Sequence, residues 1–273
     1  MHRYFLMKQA AEARKVLKEV YGYGEYRGKQ EEIIGAVLEG KNCFVLMPTG
    51  AGKSLCYQIP AIVREGVGIV VSPLIALMQD QIAALKQAGV RAATINSSVS
   101  AKEVWETKQK LKAGELDLLY VAPERLLMPE FIEMIVELKV GLFAIDEAHC
   151  VSQWGHDFRK EYTKLCVLAE KFPDVPRIAL TATADEPTRR DILDKLRLHE
   201  GEVFISSFDR PNISYAIEVA NNAKKQLLEF IRNNHKDESG VVYCLSRKKT
   251  EEVREYLKKE GINVSSRKKW SPL

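Results

Sequence analysis

The sequence lacks the features that mark several large classes of protein. No apolar run approaches the ~20 residues that a membrane-spanning helix needs, and the apolar part of residues 1–8 is too short for a signal peptide. The five cysteines contain no C-x-x-C pair and have no histidine at zinc-ligand spacing. We therefore expect a soluble, cytoplasmic protein with reduced thiols, without a metal–thiolate site and without a membrane partner.

A strong charge bias, internal repeats and low-complexity segments are also missing. The 41 lysines and arginines nearly balance 37 aspartates and glutamates, which leaves a net charge of +4. Bulk electrostatics therefore neither demand nor exclude a nucleic-acid partner, and any basic surface has to be local.

What the sequence does contain is an alternation of short apolar runs with amphipathic stretches. Its 273 residues, 46% of them hydrophobic, suffice for one large or two ordinary domains. The apolar runs predict strands at 43–47, 67–71, 116–121, 140–145, 177–181 and 240–244. Helical patterns lie at 74–87, 100–113, 161–171 and 186–196. This order predicts an α/β fold, in which helices cover both faces of a parallel sheet.

The pattern is interrupted at 206–212, where Pro211 and Asn212 disfavour both helix and strand. A new strand–helix series follows. We therefore predict a first domain over residues 1–207, and a linker with an incomplete second α/β domain over residues 208–273.

A glycine-rich turn follows the first apolar run. Gly50 and Gly52 let backbone N–H groups turn inward around a phosphate, Lys53 can reach the β- and γ-phosphates, and Ser54 can bind Mg²⁺. The first glycine of the usual pattern is replaced by Met47. A chance Gly-Lys-Ser in a surface turn is the alternative, which the preceding strand and following helix disfavour. The predicted nucleotide contacts are Met47, Thr49, Gly50, Ala51, Gly52, Lys53 and Ser54.

Two neighbouring acids end the strand predicted at 140–145. Asp146 would hold Mg²⁺, and Glu147 would orient and deprotonate the water that attacks the γ-phosphate, so both are predicted to be catalytic together with Lys53. His149 could be a metal ligand, but no second ligand stands four residues on. A role for His149 in coupling the nucleotide site to the rest of the protein is the better interpretation, and Thr181 and Thr183 could hydrogen-bond it or the acids.

The segment Cys150–Arg159 closely resembles the aromatic-rich loop of the RecQ family of DNA helicases. In that family the loop couples DNA binding to ATP hydrolysis. The resemblance implies that Trp154 and Phe158 contact bases, that Arg159 contacts a phosphate, and that Gln153 links them to the nucleotide. Core aromatics with a satisfied arginine are the alternative.

A second resemblance covers residues 21–30, which look like the family's adenine-recognition segment. It implies that Gln30 reads the adenine edge, that Tyr23 stacks on the ring, and that Arg27 steadies the segment or a phosphate. Taken without the family, this stretch would be a surface turn.

Three strand-to-helix junctions resemble the family's contacts with the DNA strand. The implied residues are Ser72, Pro73, Asn96, Pro123 and Arg125. Hydroxyls and backbone N–H groups at helix starts suit phosphate oxygens, which allows binding to any sequence. Each junction alone could equally be an ordinary helix cap.

The resemblance covers residues 15–264 and implies a complete first RecA-like motor domain and the start of a second, with 208–212 as their connection and 241–247 as the first strand of the second. It further implies an ATP- and Mg²⁺-dependent helicase that unwinds DNA from 3′ to 5′ in repair or recombination. Single-strand-binding or repair partners are not specified. Since the family's arginine finger lies beyond residue 264, we expect this chain alone not to unwind duplexes. A nucleotide- and DNA-binding module and an RNA helicase are the alternatives.

Overall fold

The computed structural model describes residues 2–154, 157–207 and 213–265, with side chains from Phe5 onward. The chain divides into two compact units, Met1–Asp209 and Arg210–Leu273. Each unit is described by itself.

The first unit is built on one seven-stranded sheet in the order β3-β4-β2-β5-β6-β1-β7. Every neighbouring pair of strands is parallel. The strands are β1 Cys43–Leu46, β2 Val67–Val71, β3 Ala92–Ile95, β4 Leu118–Val121, β5 Val140–Ile145, β6 Arg177–Thr181 and β7 Glu202–Ile205. Because all strands run the same way, their carboxyl ends meet at one edge of the sheet.

Helices connect the strands. They are α1 His2–Glu19, α2 Gln30–Leu38, α3 Leu55–Val63, α4 Ile75–Gln87, α5 Ala101–Lys112, α6 Pro123–Leu126, α7 Pro129–Val136, α8 Lys160–Thr163, α9 Val167–Lys171 and α10 Glu186–Lys195. Local chemistry sets several of their starts. Ser100 and Glu103 form a capping box on α5, and the Asp185 side chain accepts from the Thr188 N–H at the start of α10.

The core has two layers because alternate strand residues face opposite sides. Phe44, Val71 and Phe143 pack on one face against α5, α7 and α10. Val45 and Val70 pack on the other against α2, α3 and α4. The predicted α/β fold, a parallel sheet covered on both faces, is confirmed.

Three details of the first unit differ from the sequence-based prediction. β3 and β7 were not predicted, since β3 has only its two end residues buried and β7 is mostly exposed at the sheet edge. The single helix predicted at 161–171 is wrong. It is broken into α8, a 3₁₀ turn at Lys164–Cys166 and α9, and the Thr163 hydroxyl donates to the Lys160 carbonyl at the break.

The second unit contains helices α11 Ala223–Asn234 and α12 Arg247–Lys259, which share a small core of Leu228, Val253 and Leu257. The strand predicted at 240–244 is wrong. Residues 240–244 are non-regular, and the described part of this unit offers them no strand to pair with. Tyr243 is 86% exposed. Assignment of this unit to a second RecA-like domain stays a prediction.

Among the described residues, no helix has the length and apolar character needed to cross a bilayer.

Candidate active site

The carboxyl edge of the sheet gathers the predicted site residues of several strands. β2, β5, β6 and β1 are consecutive neighbours in the sheet, so the residues that follow them come together. The Met47 N–H donates to the Thr181 carbonyl at 3.2 Å, and the Asp146 N–H donates to the Val71 carbonyl at 2.9 Å. These backbone hydrogen bonds hold the phosphate loop against the end of β6 and the acids against the end of β2. Both groups therefore lie at the same edge of the sheet.

The phosphate loop occupies the turn between β1 and α3. Gly50 has φ 82° and Gly52 has φ 78°, a left-handed backbone that other residues rarely adopt. The Lys53 ammonium donates to the carbonyls of Met47 at 3.1 Å and Pro48 at 3.3 Å. The Lys53 ammonium thus lies over the loop, where the phosphates of a nucleotide are predicted to bind.

Gln30 braces this loop. Its amide oxygen accepts from the Arg27 N–H at 2.9 Å, and its amide nitrogen donates to the carbonyls of Ala51 and Gly52 at 3.2 Å each. A Cβ on Gly52 would lie 2.3 Å from that nitrogen, so only glycine permits the approach. Gln30 is buried, and its amide is committed to the protein as placed. Its contact with adenine stays a prediction.

Tyr23 and Arg27 line a pocket with Gln30 and the loop glycines. The Arg27 guanidinium carbon lies 5.6 Å from the centre of the Tyr23 ring, within the range of a cation–π contact. Tyr23 is 46% exposed, which leaves its ring accessible to a base. The predicted adenine segment and phosphate loop are therefore brought to one cleft.

Asp146 is buried beside the loop. Burial, and next the charge of Glu147, raise the pKa of its carboxyl from 3.8 to about 6. The Glu147 N–H, which donates to its Oδ1 at 3.0 Å, and the Lys53 charge act in the opposite direction. The Tyr162 hydroxyl donates to the Asp146 carbonyl at 3.0 Å. A bound dication would remove the cost of ionising this carboxyl.

Glu147 has φ 49° and ψ 44°, a left-handed conformation that is uncommon for a residue with a side chain. His149 lies next to it, with Nδ1 3.3 Å from Glu147 Oε2 and 2.9 Å from the Thr181 hydroxyl. That hydroxyl donates its own hydrogen to the Thr183 carbonyl at 3.0 Å. His149 Nδ1 must then be the donor to Thr181, which fixes the imidazole tautomer.

The segment after His149 exposes its aromatic side chains. Trp154 is 76% exposed and Phe158 is 40% exposed, which excludes the alternative that they are core residues. Gln153 is exposed as well. The Arg159 guanidinium donates to the Pro73 carbonyl at 3.1 Å and therefore ties this segment to the end of β2. Residues 155 and 156 lie outside the described part of the chain.

Two residues of α10, Asp191 and Lys195, anchor this segment, and no motif in the sequence predicts either of them. The Ser152 hydroxyl donates to Asp191 Oδ2 at 2.8 Å and accepts from the Trp154 N–H at 3.2 Å. The Lys195 ammonium lies 2.9 Å from the same Asp191 oxygen. A carboxylate in mid-helix is usually a solvated residue, so no local signal marks Asp191.

The other predicted DNA contacts divide into buried and accessible groups. Ser72 and Asn96 are each 1% exposed, and Asn96 Oδ1 accepts from the Ser98 N–H and hydroxyl. The Asn96 side chain therefore shapes its own turn, whereas the buried Ser72 hydroxyl makes no hydrogen bond within the described part of the protein. Pro123 begins α6 and is buried, while Arg125 is half-buried and its guanidinium lies 3.3 Å from Met128 Sδ. Phosphate contact by these segments stays a prediction.

A buried polar network beneath the phosphate loop was also missed. Gln81 Oε1 accepts from the hydroxyls of Tyr57 and Tyr120, at 2.8 Å each, and from Gln58 Nε2 at 3.2 Å. Burial raises the pKa of Tyr120 to about 12 and that of Tyr57 well above its ordinary value, so both are neutral donors at pH 7. Gln81 Nε2 in turn faces Ser54 Oγ at 3.3 Å.

Comparison with known proteins identifies helicases. Residues 27–192 match the DEAD/DEAH box helicase family. The ATP-dependent DNA helicase RecQ of Haemophilus influenzae is 48% identical over 254 residues, which cover 93% of this chain and 41% of that protein. The Bacillus subtilis protein of the same name is 42% identical over 254 residues, covering 92% and 43%. The chain thus spans less than half of these relatives.

Solved structures share the architecture at low sequence identity. The DUF1998 helicase MrfA bound to DNA has a TM-score of 0.68 at 16% identity, covering 91% of this chain and 38% of that one. Mycobacterium smegmatis helicase Lhr bound to single-stranded DNA and AMP-PNP has a TM-score of 0.58 at 20% identity, covering 92% and 36%. The sheet and its flanking helices are therefore those of a RecA-like helicase domain. The chain belongs to the DEAD/DEAH box helicase family and, within it, to the RecQ helicases.

Proposed function

We propose that this chain carries the ATP-hydrolysing motor of a DNA helicase that separates strands from 3′ to 5′ in repair or recombination. The observation that supports this best is the convergence of Lys53, Asp146 and Glu147 at the carboxyl edge of one parallel sheet. Glycine-loop backbone, a lysine and paired acids are the parts from which a phosphoryl-transfer site is assembled.

The residues fit ATP and Mg²⁺. The left-handed glycines open the loop to a phosphate, and the buried Asp146 carboxyl, whose pKa is raised by burial, suits a cation. Ser54 and Asp146 would hold the metal, and Lys53 would hold the β- and γ-phosphates. Mg²⁺ supplies neutralisation of the charge that develops on the phosphates. The Glu147 carboxylate, 3.3 Å from His149 Nδ1, would orient and deprotonate the attacking water.

The nucleic-acid partner is proposed to be DNA, held on the side of Trp154, Phe158 and Arg159. Because Arg159 donates to the Pro73 carbonyl and Ser152 is anchored on Asp191, movement of this segment reaches both the end of β2 and α10. His149, three residues before Ser152, contacts Glu147. A base that contacts Trp154 would therefore influence the Glu147 carboxylate through His149.

Lys53→Ala tests the nucleotide site. Loss of its charge-assisted hydrogen bonds should weaken binding of a fluorescent ATP analogue roughly ten- to hundredfold with the fold intact. Lys110→Ala, on the exposed face of α5, is the control. Unchanged affinity in a folded Lys53→Ala protein would remove the phosphate-loop assignment.

Gln30→Ala tests base recognition separately. If the amide reads the adenine edge, the variant loses affinity for ATP more than for GTP. Because the same amide braces the carbonyls of Ala51 and Gly52, an equal loss for both nucleotides would assign Gln30 to loop support alone.

Trp154→Ala tests the nucleic-acid side. Stacking on an aromatic contributes roughly 1–3 kcal/mol per base, so affinity for single-stranded DNA should fall while ATP affinity holds. Trp105, on α5, is 62% exposed and provides a matched control. Equal DNA affinities of Trp154→Ala and Trp105→Ala would exclude the proposed contact. Parallel titrations with RNA distinguish a DNA from an RNA helicase.

Strand separation is a further step, and we propose that this chain alone does not perform it. Helicase stepping needs two motor domains that close on ATP, with an arginine finger completing the charge around the γ-phosphate. The described residues of the second unit contain two helices and no strand. ATP-dependent displacement from a duplex with a 3′ overhang would contradict this proposal.

A further inference from the structure

The network around Gln81 fixes the direction in which its side-chain amide points. Three donors, the hydroxyls of Tyr57 and Tyr120 and the amide of Gln58, converge on Oε1. Turning the amide over would set Gln81 Nε2 against Gln58 Nε2, and of the two tyrosine hydroxyls, which lie 3.3 Å apart, only one could then donate to the other. Because a buried donor without a partner costs free energy, the observed orientation is strongly preferred.

The orientation of the Gln81 amide determines which of its atoms faces the Ser54 hydroxyl. With Oε1 held by the tyrosines, the N–H of Gln81 Nε2 points at Ser54 Oγ, 3.3 Å away. A serine hydroxyl has one hydrogen and two lone pairs. When one lone pair accepts from Gln81, the hydroxyl can no longer rotate freely, and its second lone pair is restricted to two directions instead of three.

We propose that Gln81 is a positioning residue that orients the Ser54 hydroxyl for Mg²⁺. This inference rests on the proposed function, in which Ser54 is a metal ligand. Mg²⁺ demands nearly ideal octahedral geometry at about 2.0–2.1 Å, so a ligand that must first be ordered binds it less well. Since Gln81 lies on α4 and Tyr120 lies on β4, the metal ligand is held by elements outside the phosphate loop.

The test is the Mg²⁺ dependence of nucleotide binding, measured by titrating the full chain with a fluorescent ATP analogue at a series of Mg²⁺ concentrations. Gln81→Met keeps the length and helix preference of the side chain and removes the amide. The Mg²⁺ concentration at half-saturation should rise roughly two- to tenfold, the ratio that corresponds to one lost hydrogen bond. Affinity in EDTA should not change.

Gln87→Met is the matched control, because Gln87 is exposed on the same helix. It should leave the Mg²⁺ requirement unchanged. Should Gln81→Met fail to fold, Gln81→Asn keeps a polar amide in the pocket but is one methylene too short to reach Ser54. It should raise the Mg²⁺ requirement in the same way.

Ser54→Ala separates positioning from a general loosening of α4. In the Ser54→Ala background, Gln81→Met should have no further effect on the Mg²⁺ requirement, whereas a merely structural effect would add to it. A Mg²⁺ requirement unchanged by Gln81→Met, or additive effects, overturns the inference while the metal assignment stands. If Ser54→Ala itself leaves the requirement unchanged, the metal assignment fails and the inference with it.

Discussion

The two units use similar local sequence to different effect. In the first, the apolar run Cys43–Leu46 lies between β6 and β7, and every one of its residues is buried. In the second, the apolar run at 241–245 has no strand beside it among the described residues 213–265, and Leu245 is fully exposed. The difference shows that an apolar run supplies the capacity for a strand, and that pairing with a neighbouring strand realises it.

Hydrogen exchange should show the largest contrast between the units. Amides of β1, β5 and β6 open only with the whole sheet, so they should exchange on the order of a thousandfold or more slowly than those of the non-regular residues 213–220 and 240–244. Mass spectrometry of peptides from the full chain measures both. Equal protection would mean that the extended backbone of the second unit has hydrogen-bonding partners. It would contradict the contrast drawn between the two units.

Matched leucine truncations test the same contrast energetically. Leu119 is fully buried in β4, so Leu119→Ala should lower the free energy of unfolding by roughly 2–5 kcal/mol. Leu228→Ala, in the small core of α11 and α12, should change the unfolding of the first unit by less than about 0.5 kcal/mol. Urea denaturation followed by circular dichroism provides both values. Equal costs would show that the units unfold together.

Asp146→Asn tests whether one residue of the well-packed first unit lowers that unit's stability. The buried Asp146 carboxylate is expected to reduce the free energy of unfolding at neutral pH. The folded pKa of about 6 exceeds the ordinary 3.8, so the stability linked to protonation is fully present below pH 3.8 and lost as pH rises through 6. At pH 7.5 and without nucleotide, the asparagine variant should be more stable by on the order of 2–3 kcal/mol. The advantage should vanish near pH 4. A destabilised variant at pH 7.5 would contradict this.

Trp154→Ala gives the smallest expected effect on stability. Its side chain is nearly as exposed as that of Tyr215 in the second unit, at 76% against 82%. Truncating either residue should change the free energy of unfolding by no more than about 0.5 kcal/mol. Thermal melts of the two variants measure this, and a large loss for Trp154→Ala would identify it as a packing residue.

The sequence predicted those features of the molecule that depend on residues adjacent in the chain. Glycines in a turn after a buried strand, and acids at a strand end, depend on a few adjacent residues, and the parallel α/β fold follows from the alternation of apolar runs. β7 escaped detection because its apolar run, 203–205, is only three residues long and lies at the sheet edge, where two of the three side chains are exposed.

The supports of the site depend on residues that are distant in sequence. Gln81 meets Ser54 across 27 positions, and Ser152 meets Asp191 across 39. A glutamine on an amphipathic helix looks solvated until tertiary packing buries its partners. For Gln30, the sequence supplied its chemistry, but only the structure shows that its amide contacts the loop carbonyls.

The left-handed backbone at Glu147 has a consequence for how this position changes over generations. A side chain there costs about 1–2 kcal/mol in backbone strain, which glycine does not incur and which asparagine tolerates better. Only the chemistry of its carboxylate sets a benefit against that cost. A lineage released from ATP turnover would therefore drift toward glycine or asparagine at this position, and the residue found there becomes a record of whether a descendant still uses the site.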